Sequence, residues 1–154
     1  MAARRAPSFL DVRLDLPPLG EYNFTAPGLG VRIFKTRDFR SFSRSQPISD
    51  EALRDAVRRA NRGLVDADLG SGLIKQRVAR PGQGRSAGFR TLIAFRSENR
   101  AVFLTGFAKN ERENIGPDEL TYLRREASKI LNWSDEQFNA LLVSGAWTEI
   151  DFDE

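Results

Sequence analysis

Between residues 73 and 112 the chain sets nine cations, Lys75, Arg77, Arg80, Arg85, Arg90, Arg96, Arg100, Lys109 and Arg112, against only Glu98 and Glu111. Lys75 and Arg77 are two apart in a strand-like run, so both point to one face. Lys109, Glu111 and Arg112 follow directly on another such run. If the strands are neighbours, all these groups converge on one edge of a sheet. Fixed cations around a scissile phosphate stabilise the extra charge of a pentacovalent transition state. The chain has no His, so the 2′-hydroxyl proton would pass to a Lys of lowered pKa or to Glu111. Such a site would cleave RNA without a metal. From the residues alone, plain RNA binding is the stronger reading.

The segment P-G-Q-G-R-S-A-G at 81–88 joins two strand-like runs and carries three glycines. Backbone N–H groups of such a loop, at Gly82 and Gly84, can approach a phosphate, with Arg80 and Arg85 beside them. It is not a Walker loop, because the Gly-Lys-Ser/Thr ending is missing and no helix follows. The loop reads equally as a flexible hairpin tip.

The elements that must carry these groups are legible from patterning. V-R-I-F at 31–34 reads as a first strand, and Phe39 and Phe42 suggest a helical turn. Ser49 is a good N-cap, with Asp50 and Glu51 in the first turn and Ile48 and Leu53 at the staple positions. Leu53, Ala56, Val57, Ala60 and Leu64 form one apolar stripe, with Gly63 as a left-handed cap. Arg54, Arg58, Arg59 and Arg62 lie off the stripe and read as a solvated helix face. Residues 65–72 read as an acidic, Gly-rich connection. Runs at 73–79, 89–96 and 101–108 follow, the last two joined as a hairpin through 97–100. Ile74, Gln76 and Val78 face one way and Lys75, Arg77 and Ala79 the other. Phe89, Thr91, Ile93 and Phe95 oppose Arg90, Leu92, Ala94 and Arg96 in the same manner. Gly116-Pro117 opens another helix with the stripe Leu120, Leu123, Ala127 and Ile130. Ser134 and Gln137 form a capping box, and the helix it opens ends at Gly145. Trp147 and Ile150 suggest a short edge strand. The fold class is α+β: a small, mostly antiparallel sheet of about four strands, packed by an N-terminal helix and C-terminal helices.

At 154 residues one domain is the default, and a core of ordinary size needs no disulfide. The absence of Cys and His excludes zinc fingers, thiol nucleophiles and histidine bases. No metal site, small-molecule cofactor or membrane span is expected. Charge is unevenly spread. Residues 31–112 hold 18 Lys and Arg against 8 Asp and Glu, whereas 113–154 hold 3 against 10. A basic middle attracts polyanions, nucleic acid first among them; an Arg-rich solvated surface is the plainer alternative. The acidic end would neutralise part of the basic face or keep the chain soluble. Residues 1–30 hold four of the seven prolines, with Val12, Leu14 and Leu16 as one short alternating run. They read as an arm, poorly ordered unless docked, and 151–154 as an acidic tail.

Three segments carry a family resemblance: V-R-I-F-K-T-R-D-F at 31–39, K-Q-R-V-A-R-P-G-Q-G-R-S-A-G-F-R-T-L-I-A-F at 75–95, and G-F-A-K-N-E-R at 106–112. They resemble the RelE-like toxins of bacterial type II toxin–antitoxin modules, nearest to the phage-associated, HigB-like branch, over residues 31–150. The resemblance implies a compact α+β fold, a cytoplasmic location and a small antitoxin bearing a helix-turn-helix. For the RelE branch it also implies cleavage of mRNA on the ribosome by basic groups. Carried over by position, these groups are Lys75, Arg77, Arg85, Arg90, Lys109 and Arg112; Glu111, beside the last two, is read for proton transfer from its own chemistry. Asn110 stands where the best-studied branch has an Arg. The Tyr or His that other branches use has no counterpart, and Tyr122 falls inside a helix. The related ParE branch poisons gyrase on the same fold, so a non-catalytic toxin is the alternative, and an inactive prophage remnant a third. Relatives begin near Val31. Residues 1–30 are accordingly expected to be either a true extension or upstream translation ahead of a GTG start at Val31.

Overall fold

The computed structural model describes residues 30–46, 48–80, 84–108 and 115–151; at 84–87 it describes the backbone only. The arm at 1–29, with its expected strand at 12–16, and residues 152–154 lie outside the described residues.

The first strand, β1 (Arg32–Lys35), runs into α1 (Arg37–Ser45). The Thr36 hydroxyl caps α1 by accepting from the Phe39 N–H. The helical turn expected from Phe39 and Phe42 is therefore a full helix, whose other positions are almost all polar. Next comes α2 (Asp50–Asn61), where Ser49 accepts from the Ala52 N–H, as the cap position predicts. Leu53, Ala56, Val57 and Ala60 are buried. Leu64 departs from the stripe: the chain turns at Gly63, with φ +86°, and leaves Leu64 57% exposed.

The acidic connection at 65–72 is itself structured. It contains β2 (Ala67–Gly70), paired antiparallel with β3 (Leu73–Arg80) through a two-residue turn. Ser71 and Gly72 both have positive φ, 59° and 84°, which matches the twist of a tight hairpin. The long β4 (Gly84–Arg96) absorbs the second half of the Gly-rich segment, so the β3–β4 connection is much shorter than 81–88. β5 (Arg100–Ala108) returns after a turn in which the Asn61 side chain accepts from the Glu98 N–H and the Ser97 hydroxyl. α3 (Pro117–Leu131), α4 (Asp135–Val143) and β6 (Thr148–Ile150) complete the described chain. The capping box of Ser134 and Gln137 is present in both directions.

The sheet has six strands, not about four, in the order β2-β3-β4-β5-β1-β6. The additional strands are β2, in the segment read as a connection, and β6, the short edge strand suggested by Trp147 and Ile150. The sheet is mostly antiparallel; β1 runs parallel to β5. The packing also includes two N-terminal helices where one was expected. α1 and α2 cover one face, over Ile33, Ile74, Val78, Ile93 and Phe103. α3 and α4 cover the other, over Phe34, Leu73, Leu92, Ala94 and Val102. Phe34, Trp133, Phe138 and Trp147 form an aromatic cluster that seats α4 against the sheet.

Candidate functional site

The expected strand faces are the observed ones, and register brings their cations together. Arg77 on β3 lies directly opposite Arg90 on β4, and Arg90 lies opposite Phe107 on β5. One step along, Lys75, Leu92 and Thr105 form the next row. β2 pairs with β3 only as far as Lys75, so Arg77 sits on an open sheet edge. Its main chain is nevertheless satisfied by side chains. The Arg77 N–H donates to Asp66 Oδ2 at 2.6 Å, and the Arg59 Nη2 donates to the Arg77 carbonyl at 2.7 Å. With both groups used on the outer side, Arg77 and Arg90 form the narrow, non-hydrogen-bonded type of pair, in which side chains are closest.

Like charges opposed in this way repel. Arg90 is also only 8% exposed, and its Nη1 is buried with no hydrogen-bond partner among the described residues. Burial, and then the charge of Arg77, push the Arg90 guanidinium below its ordinary range; Asp66 offsets part of this. A second buried arginine, Arg100, shows the contrast. Its Nη1 donates to the Trp133 carbonyl at 2.7 Å, its Nη2 pairs with Asp135 at 3.1 Å, and its guanidinium lies 4.1 Å from the Phe138 ring centre. Arg100 ties elements together. Arg90 lacks such bonds and faces another cation, an arrangement that an anion between the two would stabilise.

Among the described residues, two acids of the C-terminal region are engaged away from this pair. Asp135 and Glu149 pair with Arg32 and Arg100. Arg100 and Phe107 stand at opposite ends of β5, a separation of about 20 Å at the usual strand rise.

The other expected site residues are placed as follows. Lys75 is half-buried on the same face as Arg77. Arg80 goes to the opposite face: its guanidinium lies 4.6 Å from the centre of the Phe89 ring, which packs edge-on against Phe42 of α1. Gly84 begins β4 opposite Arg80. The side chain of Arg85, and Gly82, Lys109, Asn110, Glu111 and Arg112, lie outside the described residues. Tyr122 is on α3 and 54% exposed, lining a groove with Thr36, Leu104 and Thr105.

Three contributors escaped the sequence reading. Asp66 and Arg59 fix the edge at Arg77. Gln76, 0% exposed, holds Asp66 in place. Its Oε1 accepts from the Asp66 N–H, and its Nε2 donates to the carbonyls of Ala56 and Leu64. A signal for Gln76 was available: it is the one polar side chain between Ile74 and Val78 on a face otherwise buried. Arg59, read as part of a wet helix face, also pairs with Asp55.

The sheet face ends in an exposed and a buried arginine, and the family model of the RelE toxin of the RelE/RelB toxin–antitoxin system matches residues 31–150. The chain belongs to the RelE toxin family. No curated protein matches it. In this RelE-family chain the paired arginines lie inside the matched span, and a toxin of this family has an antitoxin as its partner. Among the described residues no helix is long and apolar enough to cross a membrane.

Proposed function

We propose that this chain is the toxin component of a type II module, of the phage-associated, HigB-like kind, and acts in the cytoplasm as a ribosome-dependent, metal-independent mRNA endoribonuclease. The observation that carries this reading is the Arg77–Arg90 pair with its unpartnered buried Nη1. A phosphate seated there would receive charge-assisted hydrogen bonds and relieve the repulsion between the two cations. As the phosphorus becomes five-coordinate its oxygens gain charge, and fixed guanidiniums stabilise that state more than the ground state. Lys75, one row along, extends the cationic face. Lys109, Glu111 and Arg112 are assigned proton transfer and charge, and Arg85, Gly82 and Gly84 contact with the RNA backbone; Arg80, on the opposite face against Phe89, takes no part. A helix-turn-helix antitoxin would silence the protein by covering this face.

Induced expression without the neighbouring antitoxin gene, followed by sequencing of RNA 5′ ends, tests the proposal. Cuts within translated frames that vanish in Arg90→Ala are expected. A second reading, a non-catalytic toxin that acts on gyrase, is favoured by the absence of His. Growth arrest with DNA damage and no RNA cuts would establish it instead.

A further inference from the structure

Beside the arginine pair, Arg59, Leu64, Val65, Asp66 and Arg77 bound a depression of about 390 Å³. Its lining is mixed in a selective way. Leu64 offers an exposed apolar wall at 57% exposure. Asp66 offers a carboxylate whose direction is set at both ends, since its N–H donates to Gln76 and its Oδ2 accepts from the Arg77 N–H. Arg77 has no ion-pair partner among the described residues. Arg59 and Arg77 stand beside the Asp66 carboxylate, so the lining offers hydrogen-bond donors and an acceptor together. It calls for a flat apolar body with N–H donors on one side and acceptors on the other.

We infer that this depression is a guanine subsite, with Asp66 as its specificity-determining residue. The inference rests on the RNA-directed reading above and names the base that adjoins the bound phosphate. Guanine alone among the four bases presents two adjacent donors, N1–H and N2–H, together with the O6 and N7 acceptors that suit arginine. Adenine and cytosine lack the paired donors, and uracil has a single one. Arg77 is shared: it lines the depression and opposes Arg90, so the depression adjoins the phosphate site. The influence of Asp66 on Arg90 agrees with that closeness.

The test is titration of the full chain with the four nucleoside 3′-monophosphates, followed through its backbone amides. Guanosine 3′-monophosphate is expected to bind about tenfold tighter than the others and to shift the amides of Leu64, Val65 and Asp66. Asp66→Asn keeps an acceptor for the Arg77 N–H but replaces the other with a donor, so the preference should disappear while the fold is kept. Leu64→Ala, at an exposed position, should weaken all bases. Equal affinities, shifts confined to the surroundings of Arg90, or an unchanged preference in Asp66→Asn would each overturn the inference. So would capture of N-acetyl-arginine amide at the same amides with no nucleotide effect, which would make the depression a receptor for a protein side chain. Because binding is read without cleavage, a chain that binds guanosine but cuts no mRNA refutes the nuclease reading alone.

Discussion

Arg90 is the residue at which function and stability oppose each other. Its buried, unpartnered guanidinium faces Arg77, and removal of such a charge relieves both repulsion and desolvation. Arg90→Leu is expected to stabilise the fold by about 1 kcal/mol in urea unfolding and to abolish growth arrest. A variant that is less stable and still toxic would sink this account. Inorganic phosphate should raise the thermal midpoint of the native chain and leave Arg90→Leu almost unmoved, since only a folded site binds the ion. The depressed pKa of Arg90 has a definite sign: its charge opposes folding at every pH below its folded value, so this penalty is constant across the physiological range.

At the scale of elements, the β3 edge depends on a polar clamp. Gln76 reaches three main-chain groups from a buried position, and Thr91 donates to the Gln76 carbonyl at 2.8 Å. Gln76→Ala leaves those groups unsatisfied and should cost about 2–4 kcal/mol, visible as a lower urea midpoint. Close packing constrains β5 as well. A Cβ on Gly106 would meet the Phe42 ring of α1 at 2.6 Å. Gly106→Ala should destabilise by about 1–3 kcal/mol, and the double variant with Phe42→Leu should recover part of it. Much of this level was legible beforehand. Ser49, Ser134 with Gln137, and Gly116-Pro117 open helices where their capping chemistry predicts, because a cap involves only neighbours in the chain. β2 and α1 were not legible as regular elements. One is too short for a period to show, and the other is polar apart from its two Phe.

Among the described residues, the C-terminal acids and the arginine pair stand towards different ends of the strands. The acids of α4 and β6 pair with Arg32 and Arg100 at one end, and the arginine pair stands towards the other. Single-stranded RNA affinity should fall with salt, and Arg77→Ala should make the log–log slope shallower by about 0.7. Arg100→Met leaves the Trp133 carbonyl without its donor and Asp135 with Arg32 alone, so it should cost about 1–2 kcal/mol of stability and leave that slope unchanged. Filter binding across a salt series separates the two effects.

By itself the sequence determined what depends on nearest neighbours: the caps, the two faces of each strand, the set of cations and the family pattern through 31–150. Alternation settles where a side chain points relative to its own strand, and for Lys75 and Arg77 that was enough to put both on one face. It does not settle which strand lies beside it, or in what register. Only the tertiary structure placed Arg77 opposite Arg90 and seated β1 parallel to β5. It also brought Arg59, Asp66 and Gln76 to the open edge of β3 from positions up to 18 residues from Arg77. The physical reason is that pairing and burial are set by contacts between distant segments, whose joint free energy is not written in any local pattern.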